Sequence, residues 1–223
     1  MSEDRLIHSF GRRRGRKLRA GRAALLDTAL PALRVSLPEG EATLDPAAPF
    51  AGAAREIWLE IGFGGGEHLA SQAAANPQVG LIGCEPYENG VVALLGHLRD
   101  RGLGNVRVWP DDARPLLERL EPGRIARAFV LFPDPWPKAR HHKRRIVQPE
   151  YATLLATLVR PGGFWHLATD IADYAEQMLE VLSASPEWSG GVIERPSYRP
   201  ITKYESIAIE AGRPITDLLY TRV

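Results

Sequence analysis

Glu56-Ile57-Trp58-Leu59-Glu60-Ile61-Gly62-Phe63-Gly64-Gly65-Gly66 is the stretch that decides how this chain folds. Its apolar start, Ile57–Leu59, reads as part of a buried strand spanning Glu56–Ile61. Glycines then stand at 62, 64, 65 and 66, and Glu67–Ala75 has the composition of a helix. Strand, glycine turn and helix together open a nucleotide-binding α/β domain. Glycine is needed there because a Cβ would hold the backbone away from a ligand. The tight turn also uses φ values that only glycine reaches at little cost.

Working outward, strands and helices alternate. The sequence predicts a strand at Val79–Glu85, a helix at Glu88–Arg101 stopped by Gly102 and Gly104, and a strand at Val106–Trp109. A helix over Ala113–Leu120 leads to a fully apolar central strand, Ala126–Phe132. Pro133, Pro135 and Pro137 then hold a stiff loop. A helix from Pro149 to Val159, a sharp turn at Arg160–Gly163 and a strand at Gly163–Thr169 follow. The remainder reads as a helix at Asp173–Ser183, an edge strand at Val192–Arg195, a short helix at Tyr204–Ala211 and a last strand at Asp217–Arg222. The expected fold is α/β and Rossmann-like: a mostly parallel seven-stranded sheet with helices on both faces. Residues 1–50 read as a basic N-terminal arm, irregular except for a helix near Ala20–Ala29.

The 223 residues carry a net charge of only +1, which hides a segregation. Residues 12–22 hold seven Arg or Lys and no acid, and residues 138–145 hold five more and no acid. Without those twelve, 16 basic residues face 27 acidic ones. Two basic patches on an acidic body point to a polyanion partner. The single cysteine, Cys84, excludes an intrachain disulfide and fits a reducing, cytoplasmic compartment. The start lacks an apolar signal core, and no run of ~18 apolar residues is present to span a membrane.

In an open parallel sheet, ligands sit at the carboxyl ends of the strands. Five acids fall at five such ends: Glu60, Glu85, Asp112, Asp134 and Asp170. The dinucleotide pattern G-x-G-x-x-G would begin at Gly62 and Gly64, but its sixth place is Glu67, whose carboxylate would repel a pyrophosphate at the helix N-terminus. Glu60-x-Gly62-x-Gly64-x-Gly66 instead resembles motif I of the class I methyltransferases, which bind S-adenosylmethionine. That ligand has no phosphate and carries a sulfonium and an ammonium, which suit an acidic glycine turn. On this reading Glu85 accepts from the ribose hydroxyls, and Asp112, or its neighbour Asp111, accepts from the adenine amino group. Glu60 lies at the methionine end, and Asp134 stands where the methyl group points.

Phe132-Pro133-Asp134-Pro135-Trp136-Pro137-Lys138 resembles the signature of the bacterial tRNA guanine-N7 methyltransferase family. Leu59–Gly66, Gly83–Tyr87, the basic run Arg140–Arg145, Ala168–Asp170 and Thr202-Lys203-Tyr204-Glu205 match that family in order. Ser9–Arg16 resembles its Arg/Gly-rich N-terminus. The resemblance implies methyl transfer from S-adenosyl-L-methionine to N7 of the variable-loop guanine of tRNA, without a metal, with residues 51–223 as the methyltransferase domain. It implies cofactor contacts from Glu60, Gly62, Gly64, Glu85, Asp112 and Asp134, with Asp134 at the catalytic point. It assigns Lys138, Asp170, Thr202, Lys203, Tyr204 and Glu205 to the substrate, and Arg140, His141, His142, Lys143, Arg144 and Arg145 to RNA. The chain departs from the pattern after Glu205, where Ser206–Leu218 stands in place of an early basic-glycine pair.

The chemistry agrees with these residue types. Guanine N7 carries an in-plane lone pair and needs no deprotonation, so the enzyme needs alignment rather than a nucleophile or a strong base. Asp170 and Glu205 are expected to accept from guanine N1–H and its amino group, and Lys138 and Lys203 to hold phosphates. His141 and His142, adjacent in a loop without acid or cysteine, read as RNA-facing or solvated rather than as metal ligands. Trp136 reads as a loop anchor or a stacking platform for a base. Two rival readings compete. An NAD-dependent oxidoreductase would want glycine at 67. A non-catalytic RNA-binding module leaves the five strand-end acids unexplained.

Overall fold

The computed structural model describes residue 11 and residues 13–223. Ser9, Phe10 and Arg12 of the basic arm lie outside the described residues. Among these described residues, seven strands form one sheet: β1 (Glu56–Ile61), β2 (Val79–Cys84), β3 (Val106–Trp109), β4 (Ile125–Leu131), β5 (Val159–Thr169), β6 (Trp188–Ile193) and β7 (Thr216–Arg222). Their order is β3-β2-β1-β4-β5-β7-β6, and only β7 runs antiparallel to its neighbours. The strand order therefore reverses between β1 and β4, which opens a crevice at their carboxyl ends.

Period-two alternation sends Ile57, Leu59 and Ile61 to one face and Trp58 and Glu60 to the other. On the first face lie α5 (Ala113–Leu117), α6 (Pro149–Leu158) and α7 (Ala172–Ser183), which bury Leu116, Leu155 and Met178 against Leu59, Val130 and Trp165. On the second lie α3 (Glu67–Ala75) and α4 (Glu88–Arg101), which bury Leu69, Val91 and Leu95 with Trp58, Leu81 and Phe129. Transfer of these side chains from water is worth roughly 1.5–3 kcal/mol each, and it holds the helices to the sheet.

The helix expected near Ala20–Ala29 is present as Ala20–Thr28, and residues 30–50 are less irregular than the sequence predicts. Helices α1 (Ala20–Thr28) and α2 (Leu30–Leu33) bury Leu25 and Leu30 in the second core. Val35 and Phe50 enter the first core, and Arg34 and Leu44 form single bridges to Val108 and Leu120.

Two other expectations are corrected. Arg160-Pro161-Gly162-Gly163 is not a turn before the strand but a bulge inside β5. Val159 pairs with Ile125 and Phe164 with Arg127, so four residues face the single Ala126. Gly162 takes φ +75°, and a Cβ on Gly163 would stand 2.7 Å from the carbonyl oxygen of Ala126. The basic run is not open loop either, because Ala139–Arg144 forms a 3-10 helix. The last helix, α8 (Lys203–Glu210), is capped by Thr202, whose Oγ1 accepts from the Glu205 amide.

Candidate functional site

The glycine turn is held from behind by an acid. Oε2 of Glu85 accepts from the Gly64 amide at 2.7 Å, and Oε1 accepts from the Tyr87 amide at 2.9 Å. Gly62, Gly64 and Gly66 all have positive φ, which other residues adopt only with strain. Burial pushes the Glu85 carboxyl up to about 7, the nearby charges of Asp134 and Glu60 push the same way, and the two amide bonds oppose them. Glu60 points to the same side of the sheet, buried, with Oε2 2.7 Å from Nδ1 of His68 in the first turn of α3. Glu60, Gly62, Gly64, Glu67, Thr202 and Tyr204 line one small pocket there with Phe63, His68 and Leu131. The Tyr204 ring lies over the turn, 3.2 Å from the point a Cβ on Gly64 would occupy.

Asp134 follows β4 and is accessible, yet loss of water around it raises its pKa. Its loop is bracketed by Phe132 at φ +52° and Trp136 at φ +45°. Left-handed backbone at two bulky residues is strained by roughly 1–3 kcal/mol each and persists only where the surroundings enforce it. Tyr204 lies close enough to Glu85 and Asp134 for their charges to raise its phenol pKa, after the larger effect of burial.

At the far end of the crevice, Asp112 caps α5. Its Oδ1 accepts from the Arg114 amide at 2.9 Å, and its Oδ2 meets the Arg114 guanidinium at 2.6 Å. Asp111 is the more open of the two acids and pairs with Arg13 at 2.7 Å. Arg13 belongs to a strap. Its carbonyl accepts from the Glu88 amide, the Gly15 amide donates to Asn89 Oδ1, and Asn89 Nδ2 donates to the Arg16 carbonyl. The basic arm therefore lies across the N-terminus of α4, beside the acids expected to hold a nucleoside.

The basic run divides. Lys138, Arg140 and Lys143 are exposed. His141 stands edge-on to Trp136, and its pKa is lowered by partial burial and then by Arg144, Arg140, Lys138 and Lys143. The Arg144 guanidinium lies over the Trp136 ring, 5.0 Å from its centre. His142 sits 3.6 Å from Asp173. Arg145, expected to touch RNA, is only 1% exposed. It donates to the Pro135 carbonyl, to Gln177 Oε1 and to Asp173 Oδ2, at 2.8, 2.7 and 2.7 Å. A guanidinium so engaged ties the proline loop to α7 and has no face left for a phosphate.

The substrate set divides as well. Thr202 and Tyr204 reach the pocket, Lys203 is exposed, and Asp170 pairs with Arg213 at 2.7 Å. Glu205, expected at the guanine, is fully buried and bonded to Arg195 and Arg199. It is an internal anchor of α8. Sequence reasoning missed His68, Arg199 and the strap. His68 had a signal in its position in the first turn of the helix after the glycines. Arg199, lone between Pro196 and Pro200, had none.

Among the described residues no helix is long and apolar enough to cross a membrane. A family model described as "Putative methyltransferase" matches residues 54–218. A protein of Paramagnetospirillum magneticum named tRNA (guanine-N(7)-)-methyltransferase is 45% identical over 219 residues, covering 96% of this chain and 92% of its own length. One of the same name from Ruegeria pomeroyi is 46% identical over 227 residues, covering 96% and 94%. Among solved structures, the 16S rRNA methyltransferase KamB superposes with a TM-score of 0.57 at 17% identity, covering 85% of this chain and 98% of that one. A 16S rRNA (adenine(1408)-N(1))-methyltransferase variant from Catenulisporales acidiphilia, solved with its cosubstrate SAM, gives 0.54 at 16% identity, covering 86% and 97%. At such identities these likenesses establish the fold, the class I methyltransferase architecture.

Proposed function

This chain belongs to the tRNA (guanine-N(7)-)-methyltransferase family, and on that premise we propose that it methylates N7 of a guanine in the variable loop of tRNA. The observation that carries the reading is one juxtaposition. The glycine turn gripped by Glu85 and the strained loop bearing Asp134 meet at the strand-order reversal, and Lys138, Arg140 and Lys143 stand exposed just beyond Asp134.

The residue types around the glycine turn suit S-adenosyl-L-methionine. A buried carboxyl held above its ordinary range, with further carboxyls close by, favours a ligand that brings hydroxyl donors and positive charge. Glu85 would hold the ribose hydroxyls, Glu60 the ammonium end, and Asp111 or Asp112 the adenine amino group. Bound there, S-adenosyl-L-methionine supplies an electrophilic methyl group on a sulfonium.

The chain's own residues supply geometry and field. The N7 lone pair is free at neutral pH, so no side chain has to remove a proton before attack. Thr202 and Tyr204 bound the space over the turn, and Asp134, in the strained loop, lies close enough for its charge to act on both Tyr204 and Glu85. Methylation leaves positive charge on the base, and a fixed carboxylate at Asp134 stabilises that charge as it develops. The exposed cations of the 3-10 helix meet phosphates and set the register of the RNA. We take residues 51–223 as the catalytic unit. A tRNA substrate together with a lone buried cysteine fits a cytoplasmic enzyme.

The test uses the purified chain, methyl-labelled S-adenosylmethionine and unmodified tRNA. Borohydride reduction and aniline cleavage should break the tRNA at one variable-loop guanine. Label appearing on an exocyclic amine or a ring carbon overturns the reading. So does a chain that binds NAD in preference to S-adenosylmethionine.

A further inference from the structure

Between β6 and α8 the chain carries Arg195, Tyr198 and Arg199. Arg199 is 1% exposed, and its guanidinium lies where three parts of the fold meet. It reaches Glu205 of α8 with two bonds, at 2.6 and 3.1 Å, and Asp217 of β7 with two more, both at 2.9 Å. Its Cζ lies 5.6 Å from the ring centre of Phe132, the strained residue two before Asp134. Glu205 also takes the Nε of Arg195 at 2.7 Å, and Arg195 donates to the Arg199 carbonyl. Asp217 meets Nε2 of His166 on β5 at 2.8 Å. The hydroxyl of Tyr198 lies 3.2 Å from the other nitrogen of that ring, and the Tyr198 carbonyl accepts from Gln72 of α3. Two carboxylates and two guanidiniums balance, and burial keeps His166 below its usual range and so neutral.

A buried ionic cluster is weak support for stability, because apolar side chains of the same volume can hold a core as well. What it adds is a fixed arrangement, since each charge has one geometry in which both carboxylates are satisfied. Here that arrangement locks the helix carrying Thr202 and Tyr204 against β7 and against the base of the loop carrying Asp134. We infer that Arg199 is a positioning residue for methyl transfer, one that holds the two walls of the guanine space in register through Glu205, Asp217 and Phe132. The inference rests on reading the pocket as the methyl-transfer site.

Two variants test it. Arg199→Lys keeps the charge, but a single ammonium cannot fork onto both carboxylates. Arg199→Met/Glu205→Gln/Asp217→Asn removes the three fully buried charges together, so that only the half-exposed Arg195 loses its ion pair if the lysine variant fails to fold. For either folded variant, α8 amides should exchange with deuterium at least ~10-fold faster while β1–β4 amides keep their protection. S-adenosylmethionine affinity should stay within about twofold, because the Glu85 end is untouched. At saturating tRNA, kcat should fall about 100-fold, the scale of a displacement of about 1 Å at the reacting atoms. A purely structural Arg199 would lower Tm and leave kcat unchanged below the melt. Normal α8 protection, or kcat within about threefold of wild type in a folded variant, overturns the inference. A wild-type chain that does not methylate tRNA sinks the function reading instead. The exchange measurement then still decides whether Arg199 holds α8.

Discussion

The Gly64 amide donates to Oε2 of Glu85 across 2.7 Å, so the turn after β1 and the acid after β2 move as one unit. The carboxyl that grips the turn is also buried and pushed from an ordinary 4.5 up to about 7. The native state therefore holds a proton that the unfolded chain has already released between those two values. Stability contributed at this site falls as pH rises through that window, and the full cost, on the order of 3 kcal/mol, is present above it. Glu85→Gln should melt higher than wild type near pH 8 and level with it near pH 4. It should also bind S-adenosylmethionine more weakly by about 1–3 kcal/mol. Thermal melts across that range, with calorimetric titration of the ligand, check both halves. A wild type that melts above the variant near pH 8 contradicts the assignment.

The basic run should split into structural and RNA-facing cations. Arg145→Ala loses bonds to Pro135, Gln177 and Asp173, and should cost about 2 kcal/mol of stability. Arg140→Ser/Lys143→Ser should leave Tm within about a degree. It should flatten the slope of log K for tRNA against log salt by roughly 1.4–1.8 units if each cation meets a phosphate. Filter binding over a salt series decides, and an unchanged slope would move the RNA footprint to the arm.

The strap predicts a steric effect at Gly15. A Cβ there would run into the Tyr87 hydroxyl and ring. Gly15→Val should lift the arm from α4 and speed tryptic cleavage between Arg13 and Arg22, with cleavage elsewhere unchanged. Equal digestion rates for variant and wild type would show that the strap yields without detaching.

Cys84 is buried in β2, and burial, then Asp112 and Glu85, push its thiol far above the usual range. It should resist a thiol reagent in the native protein and react fully in denaturant. Cys84→Ala should retain kcat, since no step uses a thiolate. Rapid labelling of the folded chain contradicts this environment.

The strands were legible where apolar runs are cut by glycine or acid, as in Glu56–Ile61 and Val106–Trp109, whose bounds the structure reproduces. The bulge at Arg160–Gly163 was not, because Pro-Gly-Gly is ordinary turn chemistry and only the facing strand turns it into a bulge. The start of β6 was hidden for a related reason. Ser189-Gly190-Gly191 lacks strand-forming residues, and Gly190 is there because the Leu219 carbonyl leaves no room for a side chain. At the site, residue identity was legible but side-chain direction was not. Glu205 and Arg145 stand in the expected motifs, yet both turn inward to partners distant in sequence or unmarked by any spacing, Arg199 and Asp173 among them.

The placement of β7 between β5 and β6 has a consequence for the route by which the chain folds. β6 comes earlier in the sequence but has β7 as its ladder neighbour at the sheet edge, and β5 reaches β7 through pairs as distant as Phe164 with Thr221. Such long closures are slow steps, whereas β1, β2 and β3 are joined by short crossovers. Until β7 docks, Asp217 is absent from the cluster and Arg199 has only Glu205 to hold. A chain caught before that step would own a formed glycine turn and an unanchored α8. Ligand recognition at the turn would thus arise earlier in refolding than turnover, and a stopped-flow experiment that follows both would see two separate rates.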